Sequence, residues 1–402
     1  YICPENVNPK VVVIVKVNGN GEIEWVHQID GDTTYSNITE PVAMTSVAVD
    51  ADDNVYVAGY HVTEMTVAPL SGGQKKIAAV NLPANWDGKG SYGDAYIVKL
   101  DKDGKCVGQL TPDATSAYAT IDQITALTCI DGDLYFTGMV TGATASYTLG
   151  GKQVDPSNDL ATLYVGKIDT DLNVNWLTTL ETVGNSAGKA VLQNRGLTLN
   201  GDYLIASGAL NGGMKANALS IDSKAAQLHG FDVILNSATG AVEGMIMNPN
   251  AVISSDFLAV TDGIETTTYG YQMAGAGVTA ANYLMTYDNA TGELKNTIEL
   301  CNANITYGGY YAAPGTLYAL PRTNSTLTIM GTDAGKSLGS FDSWMVAYNV
   351  TDMTGVEQVA VDNTSTDDIT EYYDLTGRRI INPANGLYIV RRGNNVTKEL
   401  LK

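Results

Sequence analysis

Few histidines, few cysteines, few basic residues and no long apolar run: these shortages narrow the chemistry open to this chain. It has three histidines, His27, His61 and His229, none at metal-ligand spacing from another. Zinc sites and Ser–His–Asp arrangements are therefore poorly supported. Four cysteines, Cys3, Cys106, Cys129 and Cys301, lie far apart with no CxxC pair. They read as isolated thiols; in a secreted protein three full pairings stay open, with Cys3 clamping the N-terminus as the favoured half. The longest early apolar run, Val11–Val15, has the length of a strand, well short of the ~20 residues of a membrane-spanning helix. No membrane insertion is expected. The chain holds 23 Lys plus Arg against 43 acids, a formal charge of −20. Phosphates would be repelled, so nucleic acid and anionic membranes are disfavoured as partners. The sequence begins "YICPENVNPK", without an initiator Met or signal peptide, as a mature or trimmed product would.

Strand-like alternation runs through nearly the whole sequence, while helical periodicity is almost missing. One pattern recurs: an apolar run, an Asp/Asn/Gly turn, a second run, then Gly. It reads "SVAVDADDNVYVAG" to Gly59, "ALTCIDGDLYFTG" to Gly138 and "GLTLNGDYLIASG" to Gly208. Looser versions are "AVTDGIETTTYGYQMAG" to Gly275 and "LYALPRTNSTLTIMG" to Gly331. A second hairpin follows each: residues 94–110, 163–180, 231–247, 283–300 and 343–359, with a sixth copy alone at 11–29. Two hairpins in fixed order, repeated, predict four-stranded antiparallel blades arranged radially, an all-β β-propeller. The closing Gly is expected to need positive φ or a close backbone approach.

The first two repeats resemble the SBBP class of bacterial β-propeller repeat. "VDADDNVYVAG" (Val49–Gly59) and "DAYIVKLDKDG" (Asp94–Gly104) match its two halves, and Trp25 and Trp176 stand where its Trp would. The resemblance implies the fold and an extracytoplasmic setting. Five first hairpins against six second ones favour about six blades, with five as the alternative. The hairpin 11–29 belongs to an incomplete blade whose missing strands are expected from the C-terminal side. The propeller is placed at 1–355 and a small C-terminal β module at 356–402.

That module is basic: residues 371–402 carry net +3, which leaves −23 for the rest. "EYYDLTGRRIINPANGLYIVRRGNNVTKELLK" resembles the C-terminal sorting domain of the Bacteroidetes type IX secretion system. Tyr373, Asp374, Leu375, Gly377 and Arg378 match the first half of that pattern. Gly386, Leu387, Tyr388, Ile389 and Val390 match the second, before Lys398 and Lys402. The resemblance implies an address read by the outer-membrane secretion machinery, and a secreted or cell-surface location. The same tail could instead complete the open blade.

Candidate sites are modest. Asp50, Asp52, Asp53 and Asn54, with Asp101 and Asp103, have the oxygens calcium prefers, but no Glu stands in EF-hand register, and such clusters are what hairpin turns require. Calcium is the one cofactor the sequence brings up. Tyr307, Tyr310 and Tyr311 flank two glycines in an expected inter-strand loop, and with Trp86 and Tyr92 they form the candidate ligand surface. No acid pair or glycine-rich loop has the spacing of a catalytic centre, so no catalytic residue is assigned. The sequence reads as an exported β-propeller that binds a glycan or a surface protein. The alternatives are a scaffold subunit of a surface assembly and a secreted polysaccharide-degrading enzyme.

Overall fold

A computed structural model describes residues 12–31, 42–69, 75–78, 93–113, 121–130, 132–141, 147–154, 161–184, 191–222, 227–251, 253–272, 280–303, 305–313, 316–338, 342–349, 370–373, 379–380, 386–392 and 395–401. Every regular element among them is a strand. The chain opens with a hairpin of β1 (Val12–Val17) and β2 (Ile23–Gly31). Blade 1 starts with β3 (Val42–Val49) and β4 (Val55–His61). A short arm, β5 (Met65–Pro69) and β6 (Lys75–Ile77), then leaves the blade and pairs back onto β2, giving the sheet β1-β2-β5-β6. Blade 1 is completed by β7 (Asp94–Leu100) and β8 (Cys106–Leu110), with β9 (Pro112–Asp113) following.

The later blades repeat this plan. Blade 2 begins with β10 (Ile121–Ile130) and β11 (Asp133–Thr141). Its arm, β12 (Tyr147–Leu149) and β13 (Lys152–Val154), pairs with β9 before β14 (Thr162–Ile168) and β15 (Val174–Val183) finish the sheet. Blade 3 has β16 (Val191–Asn200) and β17 (Tyr203–Asn211), an arm of β18 (Gly213–Ala216) and β19 (Leu219–Asp222) on β15, then β20 (His229–Asn236) and β21 (Val242–Ala251). Blade 4 is β22 (Ile253–Thr261), β23 (Glu265–Gln272), β24 (Ala281–Asp288) and β25 (Leu294–Cys301). Blade 5 has β26 (Ile305–Ala313) and β27 (Thr316–Thr323), an arm of β28 (Thr326–Ile329) and β29 (Thr332–Lys336) on β25, then β30 (Asp342–Ser343) and β31 (Val346–Asn349), both paired to β27. Three of these four arms reach backwards onto the outer edge of the preceding sheet, and β12–β13 pairs instead with β9, which follows the outer strand of blade 1. The leading strands β3, β10, β16, β22 and β26 pack one beside the next. This is a β-propeller.

Burial follows from that packing. A sheet held between two others is covered on both faces, and β4, β7 and β14 are buried at almost every position. Period 2 then sends alternate residues to opposite neighbours. Tyr56 and Ala58 pack with Leu134, Phe136 and Tyr164 of blade 2, while Val55 and Val57 pack with Val12 and Ile14 of the N-terminal hairpin. Equivalent slabs join blades 2 and 3 (Leu163 and Val165 with Leu204 and Phe231), 3 and 4 (Ile205 and Ile234 with Met285 and Tyr287), and 4 and 5 (Tyr269 and Leu284 with Ala319 and Tyr348).

The recurrent glycine closes on its neighbours. A Cβ on Gly138 would enter the Tyr164 ring, and one on Gly208 would lie 2.9 Å from Phe231. One on Gly59 would strike the backbone of Ala43. None of the three has positive φ. Gly331 does (φ 77°), in the β28–β29 turn with open space around it; Gly275 lies outside the described residues.

The N-terminal hairpin carries the arm β5–β6 of the next blade on its outer side. One sequence expectation is corrected. The fifth inner hairpin is β26–β27, whereas "LYALPRTNSTLTIMG" spans β27 and the arm strand β28. Its alternation resembled a hairpin because an arm strand follows the blade strand closely.

Residues 355–402 form a second compact unit apart from 1–354. Its strands β32 (Thr370–Tyr373), β33 (Arg379–Ile380), β34 (Gly386–Arg392) and β35 (Asn395–Leu401) make one antiparallel sheet in the order β33-β32-β34-β35. Val390, at its centre, is fully buried.

Candidate functional site

In each blade the turns within hairpins lie at one end of the sheet, and the connections between hairpins lie at the other. The propeller therefore has a tight-turn face and a long-connection face. The first is built for joining blades. At its outer turns, a side chain at the first position accepts backbone N–H groups: Asp101 takes Asp103 and Lys105 at 3.1 and 2.8 Å, and Asp169 takes Asp171 and Asn173, both at 2.9 Å. Asn18, Asn236 and Asp288 repeat the arrangement. Asp50 does the same in the inner turn of blade 1, taking Asp52 and Asn54 N–H at 3.0 and 2.9 Å and the Tyr56 hydroxyl at 2.9 Å. Burial alone would raise the Asp50 carboxyl, but hydrogen bonds from Asn54, Tyr56 and Asp52 outweigh it and hold the group below its ordinary value.

In three of these outer turns the next residue turns its carbonyl to the preceding sheet. Lys102 O accepts from Trp25 Nε1 at 3.0 Å and from Lys16 Nζ at 3.2 Å. Thr170 O accepts from Lys99 Nζ at 2.7 Å and Tyr56 at 3.2 Å. Ser237 O accepts from Trp176 Nε1 at 3.2 Å. The three lysines hold equivalent places: Lys16 faces Trp25, Lys99 faces Gly108, and Lys167 faces Trp176 across their hairpins.

Side-chain size is matched across the same seams. Trp25 lies over Gly104 and Trp176 over Gly240, where a Cβ would come within 3.0 and 2.7 Å of the respective indole Cδ2 atoms. Between them, blade 1 has Gly108 at the Trp position, and Leu172 of blade 2 stands at the turn-glycine position, its Cδ1 3.1 Å from where a Gly108 Cβ would be. Leu172 keeps the left-handed φ of the glycines it replaces, 66° against 82° and 74°. At the seam of blades 3 and 4 both positions, Gly244 and Gly292, are glycine, and a Cβ on Gly244 would lie 3.2 Å from Ile234 Cδ1 of the same blade.

The opposite face is chemically different. The connections that leave the strands at this end include the arms β5–β6, β12–β13, β18–β19 and β28–β29. Beneath it lies a buried polar layer at the strand ends. His61, at the end of β4, is buried against Tyr96, and its Nδ1–H donates to Thr63 O at 2.7 Å. Burial drives its pKa down to about 4, against the raising effect of the Thr63 carbonyl, so the ring is neutral near pH 7. The Tyr164 hydroxyl donates to Asp122 at 2.5 Å, Ser207 to Asp232 at 2.6 Å, and Tyr269 to Asn282. These groups are tied pairwise inside or between blades. Among the described residues, no three His, Cys, Asp or Glu side chains converge as a metal site would require.

The sequence candidates are distributed as follows. Asp50 and Asp101 spend carboxylate oxygens on turn N–H groups, Asp103 is exposed and paired with Lys102 at 2.9 Å, and Asp52 is exposed in the same turn as Asp50. Tyr307, Tyr310 and Tyr311 lie on β26, an inner strand beside β22, and not in a loop; Tyr310 pairs with Tyr318 and Tyr311 with Leu317. Trp86 and Tyr92 belong to the long connection 62–93 and fall outside the described residues, as does Cys3. Cys106, Cys129 and Cys301 are free thiols, each raised above its ordinary pKa by burial. In the tail, Tyr373 ends β32 opposite Ile389, while Gly386 and Tyr388 lie on β34. Asp374, Gly377, Arg378 and Lys402 fall outside the described residues. Sequence reasoning missed the seam lysines and the turn carbonyls, although "VKVNGNG", "VKLDKDG" and "GKIDTDL" carry the signal.

No family model and no curated protein matches the chain. Among solved structures it is similar to lignostilbene dioxygenase of Pseudomonas brassicacearum, at TM-score 0.36 and 11% identity over 87% of this chain and 72% of that one. It is also similar to the GH43 endo-arabinanase of Bacillus licheniformis, at 0.28 and 10% over 83% and 95%. The Dos1 propeller gives 0.24 and 10% over 79% and 93%. At these values no activity passes from those proteins to this one.

Proposed function

We propose that this protein is an exported, cell-surface β-propeller that binds a glycan or a surface protein through its long-connection face. The observation that carries this reading is the asymmetry of the two faces. One is consumed by short turns whose polar atoms bind the protein's own backbone; the other is the end at which the longer connections, with their arms, leave the blades. Loops displayed on a rigid scaffold are where binding residues concentrate. Trp86 and Tyr92 belong to the longest of these connections, and flat aromatic side chains suit sugar and protein surfaces alike. The likeness of the first repeats to SBBP repeats, and of the tail to a type IX sorting domain, supports export and a surface address. A basic sheet on an otherwise acidic chain fits an address read by an acidic receptor.

The test is binding of the full chain to a glycan and matrix-protein array, with and without calcium. The expected result is saturable binding to a restricted ligand class, weakened at least about tenfold when Trp86 and Tyr92 become Ala. A blank array from a chain with an intact β-sheet circular dichroism spectrum would refute ligand capture.

A further inference from the structure

Two of the chain's three histidines are sealed into one seam, the slab between the N-terminal sheet and blade 1. Val12, Ile14 and Ile29 of the hairpin, with Met65 and Val67 of the arm strand β5, pack there against Val55, Val57, Tyr96 and Val98 of blade 1. Strand alternation puts His27 on the same face of β2 as Ile29, and His61 on the same face of β4 as Val55 and Val57. His27 is 1% exposed and His61 0%. The third, His229, belongs to blade 3, where its Nδ1 lies 2.8 Å from Asn248 O.

Each ring sits at a joint of the N-terminal sheet. His27 lies against Trp25, directly across from Ile14 of β1 and Pro69 of β5. The blade 1 turn closes over it, and a Cβ on Gly104 would come within 3.0 Å of its Nε2. Neither of its ring nitrogens finds a hydrogen-bond partner among the described residues. His61 holds Thr63 O, at the root of the arm, through Nδ1, and its Nε2 is likewise unpartnered among the described residues. Protonating either ring adds a charge and an N–H donor inside an apolar slab, and opening the slab to water relieves both costs.

Around His27 the titratable neighbours are Asp101 of the turn and Lys16 of β1, the latter already paired with Glu24 and Asp53. Lys102 and Asp103 of the same turn are exposed and paired with each other, Cys106 of β8 borders the same core with Lys75 of β6 beside it, and β5 carries no charge. Asp30 lies on the other face of β2. Around His61 stand Asp94, directly opposite on β7, and Tyr96, with Glu64 next to Thr63; β3 carries no charge. Burial lowers both imidazoles below their ordinary pKa, His61 to about 4, against the opposing pull of the Gly104 backbone and Asp101 on His27 and of the Thr63 carbonyl on His61.

We propose that this seam is an acid-operated latch: protonation of His27 and His61 detaches the N-terminal sheet, with its arm, from blade 1 while the seams between later blades stay closed. With His61 at about 4 in the closed seam and 6.5 in the open one, its share alone shifts the closed-to-open ratio about 20-fold between pH 7 and pH 5. His27 acts in the same direction. The latch does not depend on the ligand proposed above.

Hydrogen exchange of the full chain, read by mass spectrometry at pH 7 and pH 5 and corrected for intrinsic rates, tests the latch. The expected result is that β1, β2 and β5 lose protection about 20-fold or more at pH 5, that β17, β20, β23 and β24 keep theirs, and that return to pH 7 restores the seam. The double variant His27→Leu, His61→Asn removes both titrating groups while the second change keeps an amide donor for Thr63 O, and it should lose the selective response. His229→Gln should retain it. Equal loss in blades 3 and 4, no loss in β1, β2 and β5, or an unchanged acid response in the double variant would overturn the proposal. If the double variant does not fold, the regional comparison in the wild-type chain decides alone.

Discussion

Trp176 of blade 2 lies across Gly240 of blade 3, and its indole Nε1 donates to Ser237 O in the same turn at 3.2 Å. One residue thus fills space and satisfies a carbonyl across a seam. The space exists only because position 240 has no side chain, and its φ of 74° suits glycine in any case. Trp25 repeats the pair with Gly104, and the intervening seam reverses it as Gly108 against Leu172.

Leu172 provides an unusual mutational order. Its left-handed backbone costs a non-glycine residue roughly 1–2 kcal/mol, while its buried side chain contributes about 1.5–3 kcal/mol of apolar burial. Leu172→Ala loses the contact and keeps the strain; Leu172→Gly loses the contact and sheds the strain. Urea denaturation should rank wild type above Gly, and Gly above Ala.

Gly138 faces the Tyr164 ring so closely that no Cβ fits. Gly138→Val should cost about 3 kcal/mol or prevent folding, since overpacking a filled core displaces its neighbours. Adding Tyr164→Leu should recover part of the loss, as read by denaturation midpoints.

His61 makes stability depend on pH in a known direction. Its folded pKa is about 4, below the unfolded value of 6.5, so between those values the unfolded chain binds more protons. The contribution is complete above pH 6.5 and is lost as pH falls towards 4. The size is roughly 3 kcal/mol, from 1.36 kcal/mol per unit. A His61→Leu variant should show a flatter stability curve over that window in isothermal denaturation.

The tail is a separate compact unit, so ending the chain at Thr354 should leave the propeller's melting temperature unchanged within about 2 °C. Calorimetry of the full chain should show a second transition that the shortened chain lacks.

Much of this was legible in the sequence, and the failures have physical causes. The inner hairpins 42–61, 121–141 and 191–211 alternate because each residue chooses between two neighbouring blades, so the repeat order pointed to the propeller. The turn role of Asp50 and Asp101 became definite once their N–H partners were visible. The arms were not legible. β5–β6 and β28–β29 pair with strands of another blade, and no local pattern records which edge a short hairpin will meet. Tyr310 and Tyr311 were misplaced in a loop because paired glycines suggest a turn, although here they lie within β26. The recurrent glycine gave its position but not its reason, since the ring that excludes a side chain comes from a strand distant in sequence.

The central structural claim is that the seams from the N-terminal hairpin to blade 3 are each seated through a matched outer-strand and turn pair. A double-mutant cycle at Trp176 and Gly240 tests it most directly. Trp176→Gly should destabilise by about 3–5 kcal/mol, and Gly240→Leu should be at least as damaging. Together they recreate the Gly108–Leu172 pairing, and the double variant should recover about 2 kcal/mol or more relative to the sum of the singles. Strict additivity of the two effects would contradict the claim.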